Sequence, residues 1–131
     1  MKVVLACGVF DLFHVAHLRH LQEASKMGDF LAVGVTKDDG VRKGNGRPVI
    51  PENERLEIIQ GLDCVDTAIL CKDSLEALDH FQPEVFCKGH DYLKKGLLPT
   101  ELAFCNENHV DIGYTKENPQ TTTDIIKRIR K

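Results

Sequence analysis

The stretch CGVFDLFHVAH, Cys7 to His17, decides how the chain is read. It continues an apolar run, KVVLAC (2–7), and closes on two histidines three residues apart. KVVLAC is apolar almost throughout, the pattern of a strand buried on both faces. HVAHLRHLQEASKMG (14–28) sets Val15, Leu18, Leu21 and Ala24 on one helical stripe, with Gly28 as its end. The stretch is therefore a strand-to-helix turn, and the histidines open the helix. His14 and His17 face the same way. A helix N-terminus offers free N–H groups and the positive end of the dipole to a phosphate. Imidazoles there add hydrogen bonds without a permanent extra charge. The pair also suits an ordinary solvated helix surface. A metal site would recruit His20, but six residues of helix turn it away from His14, and no fourth ligand has suitable spacing.

The alternation continues to the end of the chain. DFLAVGVT (29–36) reads as a second strand, and KDDGVRKGNGRPVIP (37–51) as a loop rich in glycine, proline and charge. PENERLEIIQGL (51–62) is a helix with Pro51 in its first turn and acids near its positive end. VDTAIL (65–70) and PEVFCKG (83–89) are strands three and four, separated by the helix SLEALDHF (74–81). LPTELAFCNEN (98–108) is a helix, VDIGYT (110–115) a fifth strand, and TTTDIIKRIRK (121–131) a closing basic helix. This order predicts an α/β fold: one Rossmann-like, doubly wound domain over residues 1–131, its five-stranded parallel sheet flanked by helices. Such sheets bind ligands at the carboxyl ends of their strands. GVFDLFHVAH, KDDGVRKGNGRP, KGHDYLKKG and KENPQTTT leave those ends and hold nearly all the unusual polar chemistry.

Composition narrows the function. The 131 residues suffice for a real core, and a net charge of −3 gives no global basic field. Neither a nucleic-acid nor a membrane partner is expected, and any anion site must be local. The start is too short in apolar residues for a signal peptide, and no stretch approaches a membrane span, so a cytoplasmic location is expected. Five cysteines without a CxxC pair read as reduced, buried thiols.

The other strand-end segments are individually weaker signals. GNGRP lacks the context of a dinucleotide fingerprint, and no P-loop occurs. Lys43 and Arg47 on that loop are either a solvated turn or a mobile cationic clamp over a polyphosphate. FCKGHDY (86–92) ends a strand with Lys88 and a turn glycine, Gly89, before Asp91, an acid placed to orient a ribose, an amide or a metal, or simply to cap the next turn. QTTTDII offers Thr121 as N-cap with Asp124 three residues on. With Thr122 and Thr123 it holds more hydroxyls than a cap requires. No residue set resembles a Ser-His-Asp or Cys-His nucleophile.

Together these residues resemble a known family. GVFDLFHVAH resembles the G-x-F-D-x-x-H-x-G-H signature of the cytidylyltransferase-like nucleotidyltransferases, and QTTTDIIKRI their second signature, an S-T-T stretch opening the last helix. The likeness spans essentially the whole chain. GRPVIPENERLEII, VFCKGHDY and TTTDIIKRI look most like the adenylyltransferase domain of bacterial ADP-heptose synthases, with glycerol-3-phosphate cytidylyltransferases and archaeal FMN adenylyltransferases next. The resemblance implies transfer of a nucleoside monophosphate, AMP by preference, from ATP or CTP to a small phosphorylated acceptor such as a sugar 1-phosphate, releasing pyrophosphate. It implies Mg²⁺ arriving with the triphosphate, no tightly held protein-ligated metal, and a homodimer. By the same likeness His14, His17 and Lys43 are catalytic. Gly8, Val9, Phe10, Asp11, Lys88, Gly89, Asp91, Thr121, Thr122 and Thr123 join the two histidines in holding the nucleotide. Lys43, Arg47, Arg55 and Lys116 contact the acceptor or phosphates. Two departures stand out: Ala16 replaces the signature glycine, and Pro119-Gln120 the usual glycine-led approach to the S-T-T stretch.

Overall fold

The opening apolar run forms β1, Val3–Gly8, at the centre of a five-stranded sheet. The computed structural model describes residues 1–44, 46–116 and 121–130. After β1 come α1 (Val15–Ser25), β2 (Phe30–Thr36), α2 (Glu52–Gln60), β3 (Thr67–Cys71), α3 (Ser74–Phe81), β4 (Val85–Lys88), α4 (Tyr92–Lys95), α5 (Pro99–Glu107), β5 (Asp111–Tyr114) and α6 (Thr122–Ile129). All four strand pairings are parallel, in the order β3-β2-β1-β4-β5. The chain winds outward from β1 through β2 to β3, then returns to the other side of β1 for β4 and β5. The order reverses between β1 and β4, and such a reversal leaves a crevice at the strands' carboxyl ends.

Both faces of the sheet are covered, which is why the central strands are apolar without alternation. On one face Val4, Ala6, Val33 and Val35 pack with Leu21 and Ala24 of α1 and Ile59 of α2. On the other, Leu5, Ala32 and Phe86 pack with Ala77 and Leu78 of α3 and Cys105 of α5. Cys71, Cys87 and Cys105 are buried, and all five thiols are free. Burial pushes Cys87 up to about 12, so it is inert at neutral pH. Among the described residues no helix is long and apolar enough to cross a membrane.

Three local features differ from the expectation. Gly28 does not end α1, which stops at Ser25 with Lys26 as C-cap. A Cβ on Gly28 would lie 2.7 Å from the Lys2 carbonyl oxygen, so this glycine permits close backbone approach to β1 instead. The loop after β2 contains a short 3₁₀ turn, Asp38–Gly40, and the β4 loop contains α4, both too short to show a hydrophobic period.

Arg55 is the third. It does not face an acceptor or phosphate; it is 1% exposed, inside the fold. Its Nε donates to the Ile50 carbonyl at 2.8 Å, and its Nη1 to those of Val9 and Thr36 at 2.7 and 2.8 Å. Its Nη2 meets Asp38 Oδ1 at 2.7 Å. One guanidinium thus ties the ends of β1 and β2 to the start of α2, a task that needs its planar fork of donors. Arg55→Ala strands three carbonyls and should cost about 3–5 kcal/mol in urea unfolding. Arg55→Lys should recover only a minor part. Full stability in Arg55→Ala, with only substrate affinity lost, would instead make it a ligand contact.

Candidate active site

The turn after β1 has an unusual backbone. Phe10 and Leu12 hold φ of +55° and +49°, the left-handed region that side chains disfavour. Phe10 folds under the turn, and a Cβ on Gly8 would lie 3.0 Å from its ring, so any side chain there would press on the aromatic. The buried Asp11 holds the turn in place. Its Oδ2 accepts from Val49 N at 2.8 Å and Arg47 Nε at 3.0 Å, and its Oδ1 from Ile50 N at 2.9 Å. Its carbonyl accepts the Thr122 hydroxyl at 2.7 Å. Burial alone would raise the Asp11 carboxyl; the bonds from Val49, Ile50 and Arg47 outweigh it and hold the group below the usual carboxylate range.

α1 starts on its histidines. His14 is the N-cap, its Nδ1 accepting from Ala16 N at 3.2 Å, and His17 Nδ1 accepts from His14 N at 3.4 Å. This is a capping box in which imidazoles replace the usual hydroxyl and carboxylate. Because both Nδ1 atoms accept, each neutral ring carries its proton on Nε2. The rings stack at 3.9 Å between centroids, and Phe10 meets His17 edge-on at 5.5 Å. Burial, then repulsion from His14 and Lys43, pushes His17 down to about 3. Burial also lowers His14. Both rings are neutral donors at pH 7. His14 Nε2 is buried with no hydrogen-bond partner among the described residues.

A cleft of about 750 Å³ opens over these donors. Gly8, Val9, Phe10, Asp11, His14, Ala16, His17, Lys43, Gly89, Asp91, Lys116 and Thr121–Thr123 line it, so three further strand-end segments converge on the turn. Lys43 stands exposed on the loop beside Gly44 and Gly46, whose φ of +93° and +77° only glycine adopts freely. Thr121 caps α6 by accepting from Asp124 N at 3.0 Å, which leaves its own hydroxyl proton free, while Thr123 is exposed. The Ala16 methyl belongs to a helical residue whose backbone does not need glycine.

Several expected contacts have other partners here. Lys88 does not line the cleft: its Nζ pairs with the buried Glu101 at 3.5 Å and sits 4.0 Å over the Tyr92 ring. Arg47 is turned inward onto Asp11, and its Nη2 is buried without a partner among the described residues. The Asp11 carboxylate is consumed by residues 47–50, so only its backbone serves the cleft. The Thr122 proton is spent on Asp11. The departure at Pro119-Gln120 lies outside the described residues. In the other direction, His20, Glu23, Tyr92 and Thr115 line the cleft without having been assigned to it. His20 lies 120° round α1 from His14, close enough to share a wall. The i+3 spacing of 14, 17, 20 and 23 was the available signal.

The Cytidylyltransferase-like family model matches residues 5–128. The chain is 38% identical to Bifunctional protein HldE of Geotalea uraniireducens and 35% identical to that of Pelobacter propionicus, over 98% of its own length in each case. It spans only 27% of the length of those relatives. The crystal structure of the lipopolysaccharide core biosynthesis protein from Thermoplasma volcanium GSS1 superposes with a TM-score of 0.73 at 31% identity, covering 90% of this chain and 99% of that one. Pantoate-beta-alanine ligase from Francisella tularensis, at 14% identity and a TM-score of 0.58 over 98% of this chain and 69% of its own, shares the fold alone.

The neutral His17 has a measurable consequence. An unfolded imidazole takes up a proton near 6.5, whereas the folded ring refuses it until about 3. Stability is therefore fully present above pH 6.5 and declines as pH falls toward 3. In His17→Gln the slope between pH 6.5 and 4 should flatten by up to about 1.4 kcal/mol per pH unit. An unchanged slope would mean that the folded ring takes up its proton at the same pH as the unfolded one.

Proposed function

The chain belongs to the cytidylyltransferase-like family, and from that premise we propose that it transfers a nucleoside monophosphate, AMP by preference, from a nucleoside triphosphate to a small phosphorylated acceptor, releasing pyrophosphate. The observation that carries this is the pair of stacked, neutral imidazoles at the start of α1, which line the cleft and have both Nδ1 atoms taken by the capping box. A highly negative triphosphate is held there by donors: Nε2–H groups, the N-terminus of α1, the hydroxyls of Thr121 and Thr123, and Lys43. Magnesium belongs to the substrate, as the ion on the triphosphate oxygens.

The reaction suits a site without a general base. A phosphate monoester is mostly a dianion at neutral pH, its second pKa being about 6. One of its oxygens attacks the α-phosphorus in line; the bond from that phosphorus to the bridging oxygen breaks, and pyrophosphate leaves with that oxygen. No proton has to be removed. The protein positions the two anions and stabilises the charge that builds on the α-phosphate and leaving group. Lys43, on its glycine-flanked loop, is free to follow the transferring phosphate.

A sugar 1-phosphate is the favoured acceptor. The resemblance to ADP-heptose synthases and the similarity to a lipopolysaccharide core biosynthesis protein support a carbohydrate acceptor. The test is pyrophosphate release across the four nucleoside triphosphates and a panel including heptose 1-phosphate, glycerol 3-phosphate and FMN. Release should require Mg²⁺, and His17→Ala should lower kcat by at least ~10²-fold. Tight nucleotide binding without pyrophosphate from any acceptor would make the chain a binding module instead.

A further inference from the structure

The proposed chemistry leaves Glu23 without a task, although it lines the cleft two turns along α1 from Ala16. Its Oε1 accepts from the Lys116 main-chain N at 3.0 Å, a bond between residues 93 apart in sequence. The chemistry fixes the direction of this bond, because an amide N–H donates and a carboxylate accepts. Glu23 forms no ion pair with the Lys116 ammonium. The carboxylate therefore holds the backbone and leaves the lysine side chain to the cleft that it lines.

The bond belongs to a seam between α1 and β5. A Cβ on Gly113 would lie 2.7 Å from Met27 Sδ, just past the end of α1, so the glycine admits close packing there. His20 Nδ1 and the Thr115 hydroxyl are 2.8 Å apart. From Met27 through Glu23 to His20, α1 thus follows the chain past the end of β5. The connection to α6 is held at Lys116 by Glu23 and at Thr122 by the Asp11 carbonyl, 2.7 Å away.

The Glu23 bond is exposed, so water can replace it at little cost to the fold. Its consequence is local, the placing of a cation. Lys116 shares the cleft with the N-terminus of α6 and the hydroxyls of Thr121 and Thr123. A cation, a helix N-terminus and hydroxyl donors together suit an anion. We propose that Glu23 is a positioning residue of this site: through its bond to the Lys116 main chain it sets the Lys116 ammonium against the triphosphate. This rests on the nucleotide-binding reading above and adds to it a residue that touches no ligand.

Calorimetric titration with magnesium ATP, and with magnesium tripolyphosphate as the base-free probe, tests this in single and double variants. Lys116→Ala should weaken binding of both by ~10-fold, the loss of one charge-assisted contact. Glu23→Ala should weaken both by a similar factor at a nearly unchanged urea midpoint. Glu23→Gln keeps an acceptor oxygen for the Lys116 N–H and should restore binding. The double variant Glu23→Ala, Lys116→Ala should bind no more weakly than Lys116→Ala, whereas independent residues would multiply to ~100-fold. Multiplying losses, a Glu23→Gln as weak as Glu23→Ala, wild-type affinity in either alanine variant, or a loss that tracks a lowered urea midpoint would overturn the assignment and leave the nucleotide reading intact. A wild-type chain that binds neither probe would overturn both.

Discussion

The carboxylate of Asp11, 2% exposed, is the constraint on which the cleft depends. It closes three hydrogen bonds with residues 47–50, while its own carbonyl receives the α6 threonine Thr122. The turn after β1, the loop that carries Lys43 and the helix that carries Thr121 and Thr123 are thereby fixed to one residue. Arg55 completes the arrangement from below by joining Val9, Thr36 and Ile50. A buried ion pair such as Asp11–Arg47 adds little net stability, but removing either partner leaves the other charged and dry. Geometry is what it secures. The left-handed φ values at Phe10 and Leu12 persist because these bonds over-determine the turn.

The charges of the site follow from the same burial. Two imidazoles stacked at 3.9 Å in an apolar corner cannot both be protonated, and the capping box takes their Nδ1 atoms. What remains for a ligand is a pair of neutral N–H donors with one orientation. Lys88 and Arg47, cations that sequence alone would send to a phosphate, are neutralised within the fold by Glu101 and Asp11. Under the proposed chemistry the mobile charge is left to Lys43, and the fixed part of the site is made of dipoles. Dipoles set before the ligand arrives need no reorganisation as charge develops.

The five parallel strands and the helices between them were legible, because apolar runs and the 3.6-residue period are local properties of the sequence. The convergence of four strand-end segments was legible from the strand order rule alone. What escaped was partnership. Nothing in GVFDLFHVAH indicates that the Asp11 side chain turns away from the cleft, or that Thr122 rather than its neighbours is spent on the backbone. Arg55 sits among exposed residues in ENERLEII and looks like a surface cation; only the tertiary fold surrounds it with carbonyls. His20 turns away from His14 along the helix, and nothing in the local sequence shows that the end of β5 brings Thr115 beside it.

The most direct measurement of the central claim is the ¹⁵N–¹H NMR spectrum of the His14 and His17 side chains at pH 7, with and without magnesium nucleotide. Both rings should be neutral, with the proton on Nε2 and a bare Nδ1, and both Nε2 signals should move when the nucleotide binds. Imidazolium rings, protonated Nδ1 atoms or Nε2 signals indifferent to a bound nucleotide would contradict a site built on two neutral donors.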